Sequence, residues 1–417
     1  MKLTHAVIGL TISAAAMAAP GNLVKIIRAP NPVTNGLFGA QVAVVQGHLV
    51  VSSPNDTVGG IPNVGSVYRF NGISGQVALR VANPDPDPDG TTDSFGDTLF
   101  SVGSNILIGA SGDDLDNDPS RTNAGSAYLV DGRTGAVLRK IPNPEPNTGD
   151  NFSYGALGNL GNKLIVGAPF DDPDDLTQAG TVYVIDPTTG AVVLRIPHPE
   201  PLAQGNTDDR FGRSVAGHEG NILVGAPADD QNGSMTGGAY LLDGKTGAIL
   251  MRIPNPDPQP GVFTAFGYPV RSFGGKIVIA TPWHLTGGKN LGVVHVFDGK
   301  TGALQYTIQQ PNPMDQLDVS GNSAYFGWAL AEHDGFLAVA SPLDDVNGVQ
   351  NAGAVYVFDL NTGALVMSIH NPNPVASDIM SMDLAFHGGQ IVAGARNKDF
   401  DGLTNAGEVY VFEGPRR

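Results

Sequence analysis

Residues 211–254 read FGRSVAGHEGNILVGAPADDQNGSMTGGAYLLDGKTGAILMRIP, and this stretch decides the fold. It holds, in order, an aromatic-Gly pair, a β-branched run ending in Gly-Ala-Pro, a Gly-led run with a tyrosine, and an Asp-Gly-x-Thr-Gly turn before a last apolar run. The middle runs are rich in Val, Ile, Leu and Tyr, as buried strands are. Glycine in the turn reaches positive φ at little cost, which suits a hairpin. The stretch therefore predicts four short antiparallel strands, called A to D.

The same landmarks recur along the chain about every 55–60 residues, the signature of a repeat architecture. Aromatic-Gly pairs mark six of the seven units: Phe38-Gly39, Phe95-Gly96, Tyr154-Gly155, Phe211-Gly212, Phe266-Gly267 and Phe326-Gly327. In the seventh unit the segment MDLAFHGG around Leu384 stands in that place. Tandem four-strand units without helices between them describe propeller blades. We therefore predict an all-β, seven-bladed β-propeller.

The two chain ends complement each other. The last unit ends at VYVFEGPRR without a fourth strand, whereas residues 23–32, LVKIIRAPNP, match the strand D pattern before the first strand A. The N-terminal segment is therefore expected to complete blade 7 and close the ring. We predict one propeller domain over residues 19–417. The expected repeats are residues 38–94, 95–150, 151–210, 211–262, 263–322, 323–380 and 381–414.

A Phe-Gly pair followed by Gly-Ala-Pro at the end of the next strand resembles the FG-GAP repeat of integrin α-subunit head domains and of many bacterial exported proteins. The resemblance covers roughly residues 23–414. It implies a seven-bladed propeller used mostly for extracellular binding. In the calcium-bearing blades of such propellers, the Asp-x-Asp-x-Asp-Gly loop joins strands A and B. Those connections are short and lack the acids in this chain, so that metal site is not carried over.

The N-terminus, MKLTHAVIGLTISAAAMAAP, reads as a signal peptide over residues 1–18, with cleavage before Ala19. No other run approaches the ~20 apolar residues that a membrane span requires. We therefore expect an exported, monomeric protein in the periplasm, at the cell surface or secreted. Cysteine is absent, so disulfides, an N-terminal lipid anchor and thiol catalysis are excluded.

Acidic residues concentrate on one face of the predicted ring. The formal net charge of −17 argues against nucleic acid and anionic membranes, and favours cations or basic partners. The B–C loops hold 15 acidic residues and the D–A crossovers hold 14, together 29 of the 40 in the chain. Because these two kinds of connection share one side of a propeller, this face is the predicted binding surface.

The B–C loops carry candidate calcium ligands. Side-chain oxygens at alternating positions, followed by a glycine, can wrap one Ca²⁺ ion. Exposed loops are also rich in Asp, Asn and Gly simply because these residues suit turns, so both interpretations stay open. The candidate ligands are Asp113, Asp114, Asp116 and Asp118 in blade 2; Asp171, Asp172, Asp174 and Asp175 in blade 3; Asp229, Asp230 and Asn232 in blade 4; Asp344, Asp345 and Asn347 in blade 6; and Asn397, Asp399 and Asp401 in blade 7.

Blade 5 departs from this pattern. Its B–C loop, PWHLTGGKNL, has no carboxylate and places Trp283 beside His284. The pair is a candidate contact for a partner. Alternatively, it reflects sequence variation in a loop without a function. Trp328 and the strand C tyrosines are expected to pack between blades.

Catalytic motifs are absent from the sequence. There is no G-x-S-x-G elbow and no H-E-x-x-H, and the nine histidines are scattered. The sequence therefore favours a non-catalytic binding or adhesion protein whose acidic face binds a protein or glycan, with help from Ca²⁺. Two alternatives stay open: a hydrolase or lyase acting on extracellular polysaccharide, and a purely structural surface component.

Overall fold

The computed structural model of the chain describes residues 19–87, 92–115, 118–201, 208–230, 235–312 and 323–416. These residues form seven four-stranded antiparallel sheets, which are the blades of a ring. The helical elements among them are two single 3₁₀ turns, Pro119–Arg121 and Pro173–Asp175. The predicted all-β, seven-bladed propeller is confirmed. Within these ranges, no helix has the length and apolar character needed to cross a membrane.

Strands A and B form the inner half of each blade. The A strands are Val42–Val45, Phe95–Val102, Leu157–Leu160, Ser214–His218, Val270–Phe273, Leu330–His333 and Leu384–His387. The B strands are His48–Ser53, Asn105–Ala110, Lys163–Ala168, Asn221–Ala226, Lys276–Thr281, Phe336–Ser341 and Gln390–Ala395. After its first residue, each B strand is buried throughout because neighbouring blades cover both of its faces.

Strands C and D form the outer half. The C strands are Ser66–Phe70, Ser126–Asp131, Thr181–Ile185, Gly238–Leu242, Val293–Asp298, Ala354–Asp359 and Glu408–Phe412. The D strands are Val77–Ala82, Val137–Pro142, Val192–Pro197, Ile249–Pro254, Leu304–Gln309, Leu365–His370 and Leu23–Arg28. A further hairpin in the B–C loop of blade 5 joins Leu285–Thr286 to Lys289–Asn290.

The N-terminal strand closes the ring, as predicted. Leu23–Arg28 pairs antiparallel with Glu408–Phe412, and the Arg28 Nε atom donates to Glu408 Oε1 over 2.7 Å. The A strand of blade 7 contacts the A strand of blade 1. An unpredicted feature precedes the closing strand: Ala19–Pro20 adds in parallel to the D strand of blade 6.

The hydrophobic core is divided among the interfaces between blades. Seven clusters of buried side chains lie between successive blades, including blade 7 and blade 1. Between blades 3 and 4, for example, Phe211 packs with Val182 and Tyr240. The Phe211 and Tyr240 rings meet edge to face, with centroids 5.8 Å apart. The predicted packing role of the strand C tyrosines is confirmed.

The aromatic-Gly landmark of blade 3 was placed two residues too late in the sequence analysis. The Phe152 N–H donates to Ala124 O over 3.1 Å, as the Phe211 N–H donates to Ala179 O over 3.0 Å. Ser153 takes the glycine position at a φ of 80°, because its hydroxyl is held by Ser126 O at 2.9 Å. The landmark is therefore Phe152-Ser153, and Tyr154 lies beyond it.

Blade 7 shows the same substitution. Its landmark is Met380-Ser381, not the segment around Leu384, because the Met380 N–H donates to Ala352 O over 3.1 Å. Ser381 has a φ of 77°, and its hydroxyl donates to Ala354 O over 2.8 Å. Serine can thus replace glycine at this left-handed position when a backbone carbonyl accepts its hydroxyl.

Backbone hydrogen bonds join the connections on each face. On one face the crossovers bond the B–C loops: the Arg210 N–H, for example, donates to Gln178 O over 3.1 Å. On the other face the C–D turns bond the A–B turns: the Gly132 N–H donates to Ser104 O over 3.2 Å. The acidic connections therefore share one surface, which we call the loop face.

Candidate binding surface at the channel mouth

In blades 2, 3, 4 and 6, the first acid of the predicted calcium loop bonds a strand C tyrosine. The Tyr183 hydroxyl donates to Asp171 Oδ2 over 3.2 Å, and the Tyr128 hydroxyl donates to Asp113 Oδ2 over 3.1 Å. These carboxylates are almost fully buried. The same bond is made in blades 1, 4 and 6 by the pairs Tyr68–Asp56, Tyr240–Asp229 and Tyr356–Asp344.

These Asp–Tyr pairs satisfy two groups that would otherwise be costly to bury. Burial raises the pKa of Asp171, and the bonds from Thr181 and Tyr183 oppose that rise. Burial and the neighbouring Asp171 charge raise the pKa of Tyr183 above its ordinary value, so its hydroxyl stays a donor. A buried tyrosine hydroxyl needs such a partner. The recurring first acid therefore holds strand C against the loop.

The second acid of each loop closes the loop on itself. Asp172 Oδ1 accepts the Gln178 N–H at 2.6 Å, and Asp345 Oδ1 accepts the Asn351 N–H at 2.9 Å. Equivalent bonds join Asp114 to Asn123, Asp230 to Met235 and Asp399 to Asn405. A side-chain oxygen that accepts a nearby backbone N–H replaces water at a turn. The second acids thus act as loop caps.

The remaining described candidate ligands occupy other positions in the same loops. Asp118 Oδ1 accepts the Ser120 N–H and caps the turn Pro119–Arg121. Asp174, Asp175, Asn347 and Asp401 adopt positive φ, while Asn397 is half-exposed. Asp116 and Asn232 lie outside the described residues. Within the described ranges, no three His, Asp or Glu side chains come together as a metal site would require.

Blades 5 and 7 replace the Asp–Tyr pair. In blade 5, His284 takes the place of the acid and its Nε2 lies 2.9 Å from Asp257 Oδ2. His295 takes the place of the tyrosine, and burial lowers its pKa to about 3. In blade 7, Lys398 replaces the acid and donates to Asp378 Oδ2 over 2.8 Å. His284 is therefore buried in a structural position, unlike its neighbour Trp283.

Several crossover acids are also buried on the loop face. Asp150 Oδ2 accepts Asn143 Nδ2 at 2.8 Å and the Asn147 N–H at 2.6 Å. Burial, with the Asp171 charge nearby, raises the pKa of Asp150 to about 7. Burial likewise raises the pKa of Asp209 to about 7 and that of Asp93 to about 8. These acids belong to the packing of the crossovers.

The residue two positions after the first residue of each landmark lies at or near the start of strand A, and the side chains at this position in blades 3 to 6 meet at the mouth of the central channel. Unlike the loop acids, the residues at this position differ from blade to blade: Ala40, Asp97, Tyr154, Arg213, Tyr268, Trp328 and Met382. The Arg213 guanidinium lies between two rings, 4.2 Å from the Tyr154 centroid and 4.1 Å from the Tyr268 centroid. Tyr268 meets Trp328 edge to face at 5.7 Å. Blades 3 to 6 thus form a continuous aromatic arc.

Loop and crossover side chains widen this arc. Trp283 lies 5.6 Å from Phe263, 5.3 Å from Tyr325 and 5.5 Å from Trp328, measured between ring centroids. The Tyr325 and Trp328 rings stack at an interplanar angle of 15°. The Arg210 guanidinium lies over both Phe170 and Phe263. We call the whole set the mouth patch: Tyr154, Phe170, Arg210, Arg213, Phe263, Tyr268, Trp283, Tyr325 and Trp328.

The channel below the mouth patch holds charged groups. A cavity of about 310 Å³ is lined by Tyr268, Trp328, Arg271 and Asp383 among others. Burial raises the pKa of Asp383 to about 6, and burial lowers the pKa of Arg271. Asp97 is half-buried; desolvation raises its pKa to about 7, and the charge of Arg213 opposes this rise.

Three arginines around the mouth lack a carboxylate partner in the described part of the chain. No described Asp or Glu oxygen lies within 4 Å of Arg213, Arg271 or Arg396. Arg396 replaces the proline of Gly-Ala-Pro in blade 7, and its Nε is buried without a hydrogen-bond acceptor. Arg213 and Arg271 do donate to backbone carbonyls, Tyr154 O and Val270 O, so what these arginines lack is a described carboxylate within ion-pair distance.

Within the mouth patch, Trp283 is the residue that the sequence predicted as a partner contact. Trp328 does pack against the core between blades 6 and 7, as expected, but its half-exposed ring also lines the channel mouth. The signal that could have found the patch is the residue two positions beyond the landmark, which varies while its surroundings repeat. With Tyr154-Gly155 taken as the landmark of blade 3, Tyr154 does not align with Arg213 and Tyr268 in the sequence.

The comparisons agree with this fold. Residues 203–242 match the model of the FG-GAP repeat, which spans strands A to C of blade 4. The Cps50 (Swd1) β-propeller domain of Myceliophteria thermophila is 12% identical, with a TM-score of 0.57 over 95% of this chain and 100% of that chain. The computationally designed Ika8 protein is 14% identical, with a TM-score of 0.52 over 94% and 100% of the two chains.

These two structures are similar in fold alone. None of the curated proteins compared with the chain matches it. The resemblance to FG-GAP propellers is confirmed by the repeat in blade 4 together with the seven-bladed fold.

Proposed function

We propose that this propeller is an exported, non-catalytic binding protein whose partner, a protein or a glycan, docks on the loop face at the mouth patch. The observation that carries the proposal is the convergence of half-exposed aromatic rings and arginines from four successive blades. Aromatic and arginine side chains dominate the energy of binding surfaces because they bury a large area and donate directed hydrogen bonds. A cavity below them gives the surface depth.

The acidic loops support the patch. Their first acids bind strand C tyrosines and their second acids cap the loops, so these carboxylates serve the shape of the rim. Sites held on such a scaffold lose little conformational entropy when a ligand binds. The charge of the sequence predicted the whole acidic face as the binding surface. The proposal places the partner at the centre of that face.

Intrinsic fluorescence tests the proposal because both tryptophans of the chain, Trp283 and Trp328, belong to the mouth patch. The folded protein is titrated with neutral, acidic and basic oligosaccharides and peptides. A ligand at the patch is expected to change the emission and to protect it from acrylamide. His333→Ala, on the opposite face, is the matched control and should leave the response unchanged. A panel without any change would contradict the proposal and favour a structural role.

One observation favours the enzymatic alternative. Asp97 and Asp383 are half-buried carboxyls of the channel, and desolvation raises their pKa values to about 7 and about 6. Raised carboxyl pKa values are typical of catalytic acids. A hydrolase or lyase acting on polysaccharide would release new reducing ends from a panel of glycans, and Asp97→Asn and Asp383→Asn would abolish that release.

Calcium binding in the loops remains a proposal. The spacing fits best at Asp114, Asp116 and Asp118, and at Asn397, Asp399 and Asp401. A calcium-specific rise in melting temperature from EDTA to millimolar CaCl₂, with MgCl₂ as control, would support it. Binding at a hundred times the dissociation constant would add about 2.7 kcal/mol to the free energy of unfolding. Asp399→Ala should remove the rise contributed by blade 7, and no rise would leave the loops as turns.

Export also remains a proposal, and it rests on the sequence of residues 1–18. Those residues lie outside the described part of the chain. N-terminal sequencing of protein recovered from outside the cytoplasm should begin at Ala19. A chain that retains Met1 or Lys2 there would contradict the signal peptide.

A further inference from the structure

We infer that the ligand of the mouth patch is an acidic saccharide, a glycan that carries carboxylate or sulfate groups. This inference rests on the proposed function and adds the chemical class of the ligand. It follows from three features of the patch: guanidinium groups whose faces are already covered, arginines without a described carboxylate partner, and a half-exposed surface of stacked rings.

Arginine guanidinium groups already cover several of the aromatic rings, and this argues against a cationic ligand. A cation would bind over the faces of tyrosine and tryptophan rings. The Arg213 guanidinium already lies over Tyr154 and Tyr268, at 4.2 and 4.1 Å. Arg210 covers Phe170 and Phe263 in the same way. These four rings are therefore already covered by the chain's own cations, which would repel a second cation there.

A guanidinium held between two rings still has donors along its edge. Arg213 Nη1 donates to Tyr154 O over 3.2 Å, and none of the ion pairs among the described residues includes Arg213. The planar edge of guanidinium matches carboxylate, sulfate or phosphate through paired hydrogen bonds. Burial lowers the pKa of Arg396, and the nearby Tyr154 and Tyr268 side chains oppose that fall, which indicates that Arg396 lies near the same rings. An anion at the mouth would meet both arginines.

The exposed rings favour a sugar over an acidic peptide. Trp283, Tyr325 and Trp328 form a surface with ring centroids 5.3–5.9 Å apart, and all three are half-exposed. The C–H face of a pyranose stacks on such rings, while its carboxylate or sulfate projects from the ring edge. A uronate unit thus presents an apolar face and an anion together. This matches a stacked aromatic surface beside an arginine.

The experiment titrates the folded protein with oligogalacturonate and with its methyl-esterified form, which has the same sugar rings without the charge. Dextran sulfate and dextran form a second matched pair, and they distinguish sulfate from carboxylate as the source of the anion. Tryptophan emission is the readout. The charged member of at least one pair should bind about tenfold or more tightly than its neutral counterpart, because a charge-assisted pair to arginine is lost.

Variants of the protein locate the contact. Arg213→Gln should weaken binding of the charged probe about tenfold while changing binding of the neutral probe little. Arg133→Gln, in an exposed C–D turn on the opposite face, is the control and should change neither. Arg396→Gln serves as the second variant, so that a folding defect of one variant does not decide the result.

The outcomes separate this inference from the proposed function. Equal binding of charged and neutral saccharides, or tighter binding of polylysine, would overturn the inference and leave the binding surface in place. Tighter binding of polyglutamate than of either charged saccharide would replace the saccharide with an acidic protein. If no probe of any class changes the emission, the inference and the proposed function both fail.

Discussion

The B–C loops and the channel mouth lie on the same face but follow opposite rules. In the loops, an acid bonded to a strand C tyrosine recurs in blades 1, 2, 3, 4 and 6. At the mouth, the residue two positions beyond the landmark changes in every blade, from Asp97 to Tyr154 to Arg213. The loops contain many acidic residues in the sequence, yet the recurring carboxylates already accept hydrogen bonds within the fold.

This difference teaches where a repeat protein keeps its function. A residue that recurs in most repeats serves packing that those repeats share, as Asp171 does for the Tyr183 hydroxyl. A residue that differs from its equivalents in the other repeats, such as Arg213, serves a role that the repeats do not share. We therefore expect substitutions at recurring positions to lower stability, and substitutions at the mouth to lower binding.

The largest expected effect on stability concerns the landmark phenylalanine. Phe211 is fully buried between blades 3 and 4, and Phe211→Ala should lower the free energy of unfolding by about 3–5 kcal/mol because it leaves a cavity. Tyr154→Ala at the mouth is the comparison, since that ring is 39% exposed. It should cost about 1 kcal/mol, the value of its contact with Arg213. Urea unfolding measures both, and similar losses would break the comparison.

The next effect concerns a recurring loop acid. Asp171→Ala leaves the buried Tyr183 hydroxyl without its acceptor and should cost about 1–3 kcal/mol in unfolding free energy. Asp172→Ala, which removes an exposed loop cap, should cost about 1 kcal/mol or less. Adding Tyr183→Phe to Asp171→Ala should recover part of the loss, because the orphaned hydroxyl is gone. If the double variant lost as much unfolding free energy as the two single variants together, or more, the pairing would be contradicted.

The dependence of stability on pH follows from the buried carboxyls. A carboxyl whose folded pKa is raised binds a proton in the folded state up to that pKa, whereas the unfolded chain releases it near pH 4. The folded state therefore holds more protons in this window, and stability should fall as the pH rises from about 4 to about 7. The groups with such raised values are Asp93, Asp97, Asp150, Asp209 and Asp383.

His295 acts in the opposite direction. Burial lowers its pKa to about 3, so this residue favours the folded state at higher pH. Because the five carboxyls outnumber it, the melting temperature should be higher at pH 5 than at pH 8. Asp150→Asn should reduce that difference. Asp131→Asn is the control, since the bond from Thr134 lowers the pKa of Asp131 and confines its effect to more acidic pH. A melting temperature that rises from pH 5 to pH 8 would contradict these assignments.

Much of the fold was predictable because the four-strand unit repeats seven times and the two ends of the chain are complementary. Residues 23–28 and the incomplete last unit indicate ring closure together, since neither end makes a full blade alone. The exact register was not predictable in blade 3, where Ser153 replaces glycine at positive φ. Sequence patterns mark that position by glycine, and a serine held by a carbonyl leaves no such mark.

The candidate site was less predictable for a related reason. Acid counts pointed to the loop face but could not show that Asp171 is covered by Tyr183, because a bond between loop and strand depends on three-dimensional packing. The mouth patch joins residues from four blades that are far apart in sequence, such as Arg213 and Trp328. Only the closed ring brings these side chains together.

The most direct test compares binding and stability in two variants at once. Arg213→Gln should weaken the tryptophan response to a charged saccharide about tenfold and leave the melting temperature unchanged. Asp171→Asn should lower the melting temperature and leave the response of the folded protein unchanged, because its carboxylate serves the fold. The reverse pattern, with binding lost at Asp171 and stability lost at Arg213, would contradict the division between repeated structural positions and a non-repeating binding site.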